Sequence, residues 1–266
     1  MSQPQPTVND LFDLSGKIAL ISGGGGHLGT AFANTLAEAG ARVALASRDQ
    51  QRASAAAAAL PPVKAGSHLG VVLDHLQPES IDRCVETVVQ QLGAIDVLVN
   101  NGHDPNASDW VDVTPDEFTK QLSNATGYFQ LARHVRNLAV KREASASVVM
   151  IGSMYGVVGS YPDAYEGICS ASPVAYHTLK GGLIHMTRHL AVYWAKDHIR
   201  VNCLSPGPFP SAAAPQEMVK RLEAKSPMGR MGLPHEMKGA LLLLASDAGS
   251  YITGQNLLVD GGWTAW

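Results

Sequence analysis

The chain has 266 residues and a mass of 28.1 kDa, with 45% apolar and 16% charged residues; this excludes a disordered chain and provides enough material for one buried core. A net charge of −3 and a pI near 6.3 offer no basic field for a phosphate backbone, so nucleic acid is not an expected partner. Cys84, Cys169 and Cys203 are far apart and form no CxxC pair, which argues against a disulfide framework or a thiolate zinc site and fits a reducing, cytoplasmic setting.

Residues 1–11 are polar, hold two prolines and are expected to form a loose tail, followed by a single domain over 12–266. No apolar run precedes Lys17, and the longest runs, such as 240–245 (ALLLLA), fall far short of the roughly 18 residues a membrane span needs. Neither a secretory leader nor a membrane partner is therefore expected.

From there the chain alternates apolar strand-like runs with helical stretches. The predicted strands are 17–22, 42–47, 69–73, 95–99, 147–151, 199–204 and 256–259, mostly continuous apolar runs of the kind covered on both faces in a parallel sheet. The predicted helices are 28–39, 49–60, 78–92, 115–140, 173–196, 215–225 and 234–246. Gly40 closes the first, and Ser172 with Pro173 is expected to cap the fifth. Repeated βα units define an α/β chain with a Rossmann-type, doubly wound parallel sheet and a ligand at the strands' carboxyl ends.

The first strand runs into 22–29 (SGGGGHLG) and then directly into a helix. Glycines there let the backbone approach a pyrophosphate, and the helix N-terminus supplies free N–H groups and a positive dipole end. Gly23, Gly26, His27, Leu28 and Gly29 form the expected cradle. Strand 42–47 ends in Ser47 and Arg48 instead of an acid that would hold the ribose hydroxyls; a hydroxyl and a guanidinium suit a 2′-phosphate, so NADP(H) is favoured over NAD(H).

Tyr176 and Lys180 are four apart on a predicted helix and so share a face. A free tyrosine ionises near pH 10, and a neighbouring ammonium together with an oxidised nicotinamide is expected to lower that value enough for proton transfer. Ser153, directly after strand 147–151, would point a hydroxyl into the same cleft. His185 and His189 share a helix face at a metal-compatible spacing, but no HExxH or carboxylate completes a ligand set, and a helix–helix contact is the expected role.

With these pieces in place the chain resembles a short-chain dehydrogenase/reductase from about Leu14 to Trp263. The matching segments come in family order: the glycine loop, Asp74, Asn100-Asn101, Asn124, Ser153, Tyr176 with Lys180, Pro206-Gly207 and the closing TGQNLLVDGG at 253–262. The resemblance implies an NAD(P)-dependent oxidoreductase that interconverts a secondary alcohol and a ketone, assembled as a homo-oligomer, either tetramer or dimer. Tyr176 would be the general acid/base, Lys180 would hold the nicotinamide ribose, Ser153 would bind the substrate oxygen, and Asn124 would fix a water linking Lys180 to solvent. Asp74 and Asn100 would contact the adenosine side. Residues from Pro206 through Gly207 and Phe209 to Ser211 would line the nicotinamide, with 208–228 forming a substrate lid.

Three departures stand out. The glycines follow TGxxGxxG spacing, a form familiar from sugar epimerases and dehydratases. VNNGH replaces the family's NNAG, setting Gly102 and His103 in its last two places, with Gly102 expected beside the cofactor. The interval from Ser153 to Tyr176 is long, and its segment 157–172 holds Tyr161, Asp163, Tyr165 and Glu166. Rings and acids there suit a sugar or polyol, with Tyr161 and Tyr165 as substrate contacts; packing of the segment against another subunit is the alternative. A sugar epimerase or dehydratase that recycles its nicotinamide, and a non-catalytic nucleotide-sensing protein on the same fold, stay open as alternatives.

Overall fold

Each of the seven apolar runs forms a strand: β1 Ile18–Ser22, β2 Arg42–Ser47, β3 Leu69–Val72, β4 Val97–Asn100, β5 Ala146–Ile151, β6 Ile199–Pro206 and β7 Asn256–Val259. A computed structural model describes residues 5–105, 108–170 and 172–265. All pairings are parallel, in the order β3-β2-β1-β4-β5-β6-β7. The chain winds outward from β1 to β3, then returns to pair β4 with β1, and that reversal opens a crevice at the strand ends where a ligand can lie.

The helices are α1 Val8–Phe12, α2 His27–Glu38, α3 Gln50–Ala58, α4 Pro78–Leu92, α5 Pro115–Lys141, α6 Pro162–Tyr165, α7 Val174–Trp194, α8 Gln216–Glu223 and α9 Lys238–Ala245. Along β1, Ile18 and Leu20 join one core with α4, α5 and α7, while Ala19 and Ile21 join a second with α2, α3 and α9. The period-two alternation of a strand puts successive side chains on opposite faces, so a continuous apolar run serves both layers. Each fully buried Leu, Ile or Val contributes about 1.5–3 kcal/mol.

Three local expectations are corrected. Within the predicted tail, Val8–Phe12 is a helix, held by a capping box between Thr7 and Asp10, although none of its residues is buried. The N-cap of α7 is Pro173; Ser172 lies one place further out, its hydroxyl 3.1 Å from His177 Nε2. The predicted helix 234–246 is a 3-10 turn, Pro234–Met237, followed by α9. Gly40, at φ 97°, follows the Ala39 C-cap of α2 as expected. Among the described residues no helix is long and apolar enough to cross a membrane.

Candidate active site

At the sheet's turning point, the Ser22 hydroxyl accepts from the backbone N–H groups of Asn101 and Gly102, both at 2.9 Å, and so ties the end of β1 to the end of β4. Gly23 follows at φ 63°, and a Cβ there would stand 2.6 Å from Gly102 Cα. A Cβ on Gly29 would collide with the Gly23 carbonyl oxygen. Only glycine fits at these two positions, which accounts for the TGxxGxxG spacing. Gly26 is the N-cap of α2, whose free N–H groups open toward the groove.

A groove of about 920 Å³ runs along the strand ends. It is lined by Gly23, Gly26, His27, Leu28 and Gly29 from the glycine loop, Ser47 and Arg48 from β2, and Asp74. It continues past Gly102, Ser153, Tyr176 and Lys180 to Pro206, Gly207 and Phe209. Its volume, its course along the strand ends and its glycine cradle fit a nicotinamide dinucleotide. When bound, such a group donates or accepts hydride.

Tyr176 and Lys180 meet on one face of α7, the ammonium 5.4 Å from the phenol ring centre. Lys180 is buried and donates to the Ile151 carbonyl at 2.8 Å; desolvation pulls its pKa down to about 8. In the protein alone, burial pushes the Tyr176 phenol up and a hydrogen bond with Ser153 is the opposing influence; the expected lowering counts on the charge of an oxidised nicotinamide as well as on Lys180. Ser153 is held by the Tyr155 N–H at 3.1 Å, at the turn that follows β5.

Asn124, on α5, spends its whole side chain on protein partners. Its Oδ1 accepts from Asp104 N–H and from His75 Nε2, both at 2.7 Å, and its Nδ2 donates to the carbonyls of Asp104 and Gln121 at 3.2 and 2.8 Å. A water linking Lys180 to solvent therefore has to use another atom of this region. The Asp104 carboxylate in turn meets Arg48 at 2.8 Å and Lys120 at 2.9 Å, and these two cations hold its pKa below the usual range, Lys120 more than Arg48.

A second cavity of about 350 Å³ opens off the groove. Ser153, Tyr176, His103, Gly207 and Phe209 line both. Its far side holds Met154, Tyr155, Tyr165, Met218 and Leu222. The hydroxyls of Tyr155 and Tyr165 lie 2.6 Å apart, and the Tyr155 ring stacks on His177 at 4.6 Å. None of the described lining residues is Lys, Arg, Asp or Glu.

Three sequence-derived site residues stand elsewhere. Asn100 turns inward, donating to the Tyr128 carbonyl at 2.9 Å, so its neighbour Asn101 lines the groove instead. Ser211 is exposed and lines neither cavity. Tyr161 packs edge-on against Trp263, 5.5 Å away, under the Lys225 ammonium, and does not line the pocket; Tyr165 does. Neither Asp163 nor Glu166 lines the pocket; the Asp163 carboxylate pairs with Lys225, and Arg221 of α8 donates to the backbone carbonyls of both. The long segment is thus tied to α8 of its own chain. Sequence reasoning missed His75, Asp104 and Tyr155, and it placed Ser22 and Asn101 within matching motifs without giving either a role.

A fold of this order with these residues along its crevice defines a nicotinamide-dependent dehydrogenase. A family model described as enoyl-(acyl carrier protein) reductase matches residues 26–264. A short-chain type dehydrogenase/reductase from Mycobacterium marinum superposes with a TM-score of 0.88 at 34% identity, covering 98% of this chain and 100% of that one. A gluconate 5-dehydrogenase from Burkholderia cenocepacia J2315, solved with NADP and tartrate, superposes at 0.87 with 27% identity, covering 98% and 100%. An NADP-dependent mannitol dehydrogenase from Alternaria alternata is 31% identical over 99% of this chain and 98% of its own length. The chain belongs to the short-chain dehydrogenase/reductase family and is an NAD(P)-dependent oxidoreductase that interconverts a secondary alcohol and a ketone.

Proposed function

We propose that the chain is an NADP(H)-preferring dehydrogenase of uncharged polyols and the corresponding ketoses. The observation that carries this reading is that Ser153 and Tyr176 line both the dinucleotide groove and a side pocket whose described lining holds no charged residue. An anionic substrate would enter that pocket without a counter-ion, at a cost of several kcal/mol. The paired hydroxyls of Tyr155 and Tyr165 offer hydrogen bonds to a hydroxylated ligand, and the mannitol dehydrogenase relative supports the same class. Arg48 at the groove's end supports the 2′-phosphate preference, as do the NADP-dependent relative and the NADP-bound structure.

In this reading the Tyr176 hydroxyl donates its proton to the carbonyl oxygen during reduction and recovers it during oxidation. Ser153 donates a hydrogen bond to the same oxygen, where negative charge develops. The Lys180 ammonium, below the phenol, holds the ribose and favours the phenolate as the oxygen charges. Asp74 flanks the adenosine end, and His27 and Leu28 open the helix that receives the pyrophosphate. Exposed Val192 and Tyr193 on α7 favour assembly with further copies, and three free cysteines are in keeping with a reducing cytoplasm.

The test is cofactor absorbance across mannitol, arabinitol, fructose, gluconate and simple ketones, with wild type and Tyr176→Phe. Turnover of the uncharged polyols with NADP(H), lowered at least 100-fold in the variant, is expected. Turnover of gluconate alone, or turnover untouched by the variant, would overturn the reading.

A further inference from the structure

Of the five residues shared by the groove and the pocket, three carry polar side chains: Ser153, Tyr176 and His103. In the proposed mechanism Tyr176 moves the proton and Ser153 hydrogen-bonds the substrate oxygen. His103 stands where the family pattern has a glycine, so its ring is an addition of this chain at the point where substrate and cofactor meet. The imidazole centre lies 5.9 Å from the Tyr176 ring centre, tilted by 46°. Among the described residues, neither ring nitrogen has a hydrogen-bond partner. Burial, with Lys180 as the next influence, pulls its pKa down to about 4, so the ring is neutral near pH 7, with one nitrogen that donates and one that accepts.

The ring is half-buried and lines the open cavity, and its nitrogens are not among the sealed, unpartnered polar atoms of the described residues, so both are free to pair with a ligand there. A group one ring-width from the Tyr176 phenol reaches the carbon beside the one that reacts. We propose that His103 is a specificity-determining residue that hydrogen-bonds a hydroxyl on the carbon adjacent to the reacting carbonyl, so that the enzyme selects α-hydroxyketones and vicinal diols over plain ketones and alcohols. The proposal rests on the oxidoreductase reading above and narrows its substrate class. A hydroxyl both accepts and donates, matching a neutral imidazole, whereas a plain ketone leaves the ring unpaired, the kind of difference that discriminates strongly between close analogues.

The experiment compares 3-hydroxy-2-butanone with 2-butanone, which differ by that one hydroxyl, using NADPH and the wild type, His103→Gly and His103→Gln proteins. His103→Gly restores the family residue, so the fold is expected to tolerate it. The wild type is expected to favour the hydroxyketone at least about tenfold in kcat/KM. His103→Gly should lose roughly tenfold on the hydroxyketone, mainly through KM, and stay within about twofold on 2-butanone. His103→Gln, which keeps a donor and an acceptor, should recover much of the loss. The Kd for NADPH, read by fluorescence titration, should stay within about twofold in both variants.

Equal losses on both ketones, no loss on either, or a weakened NADPH Kd would overturn the inference; the last would make His103 a cofactor contact. A wild-type enzyme that reduces the two ketones equally well overturns it too, and leaves the oxidoreductase reading standing. A wild-type enzyme that reduces neither ketone and turns over no member of the substrate panel, with reduced or oxidised cofactor, overturns that reading as well.

Discussion

The side chain of Asn124 grips the backbone of Asp104 at both its N–H and its carbonyl, at 2.7 and 3.2 Å. This fixes the strap that carries His103 beside the Tyr176 ring, and the His75 bond to the same amide oxygen anchors the strap to the turn after β3. Asn124→Ala removes four hydrogen bonds and leaves buried backbone groups unpaired, and is expected to destabilise the fold by about 2–4 kcal/mol. Asn124→Asp should not rescue it, since a carboxylate cannot donate to the carbonyls of Asp104 and Gln121. Denaturant melts of both variants check this; native-like stability in either would remove the clasp from the account.

Arg48 reaches across the groove to the Asp104 carboxylate, yet its side chain is 64% exposed. An ion pair that open to water is worth about 0–1 kcal/mol, so a 2′-phosphate can take the guanidinium from it. Arg48→Ala is expected to weaken NADPH binding about 10- to 30-fold and NADH binding by less than about threefold, read as two Kd values by fluorescence. An equal loss for both cofactors would point to packing on the adenine instead.

Lys180 has a sharper pH signature than its neighbours. Burial lowers its pKa from 10.5 to about 8, so between these values the unfolded chain binds a proton that the folded chain does not. Stability contributed at this site therefore rises with pH from about 8 to 10.5. Below pH 8 the buried ammonium carries its full cost, on the order of 3 kcal/mol. The difference in unfolding free energy between Lys180→Met and wild type should shrink across that window by this amount. A constant difference from pH 7 to 10.5 would contradict the burial argument.

Helix α8 is tied down by Arg221, which donates to the carbonyls of Asp163 and Glu166 at 3.0 and 2.9 Å. Met218 and Leu222, on the same helix, line the pocket, so loosening α8 loosens a substrate wall. Arg221→Ala is expected to raise substrate KM about three- to tenfold, leave NADPH affinity unchanged and speed proteolysis within 208–228. Unchanged KM with faster proteolysis would separate the latch from substrate binding.

Every strand and the main helices were readable because hydrophobic periodicity is local: each run declares its own burial whatever lies next to it in space. The glycine loop, Arg48, Ser153 and the Tyr176–Lys180 pair were readable for a similar reason, since each is a short pattern with a backbone geometry attached. The side-chain directions of Asn100 and Asn101 were not. Neighbours on a strand point to opposite faces, and which one faces the groove depends on where α5 packs. Tyr161 and Tyr165 have the same problem on a short helix, where one ring met Trp263 and the other met Tyr155.

What the amino-acid order alone determined was the class of chain: an α/β fold with a glycine loop after its first strand and Tyr176 four places before Lys180 on one helix face, all encoded within a few neighbouring residues. What only the tertiary structure decided was how distant segments spend their polar atoms. It sent Asp163 to Lys225, filled Asn124 with Asp104, Gln121 and His75, and, among the described residues, left the His103 ring nitrogens without a hydrogen-bond partner where groove and pocket meet. Such pairings follow from three-dimensional proximity and from the cost of leaving a buried donor or acceptor unmet, and no pattern along the chain records which partner arrives first.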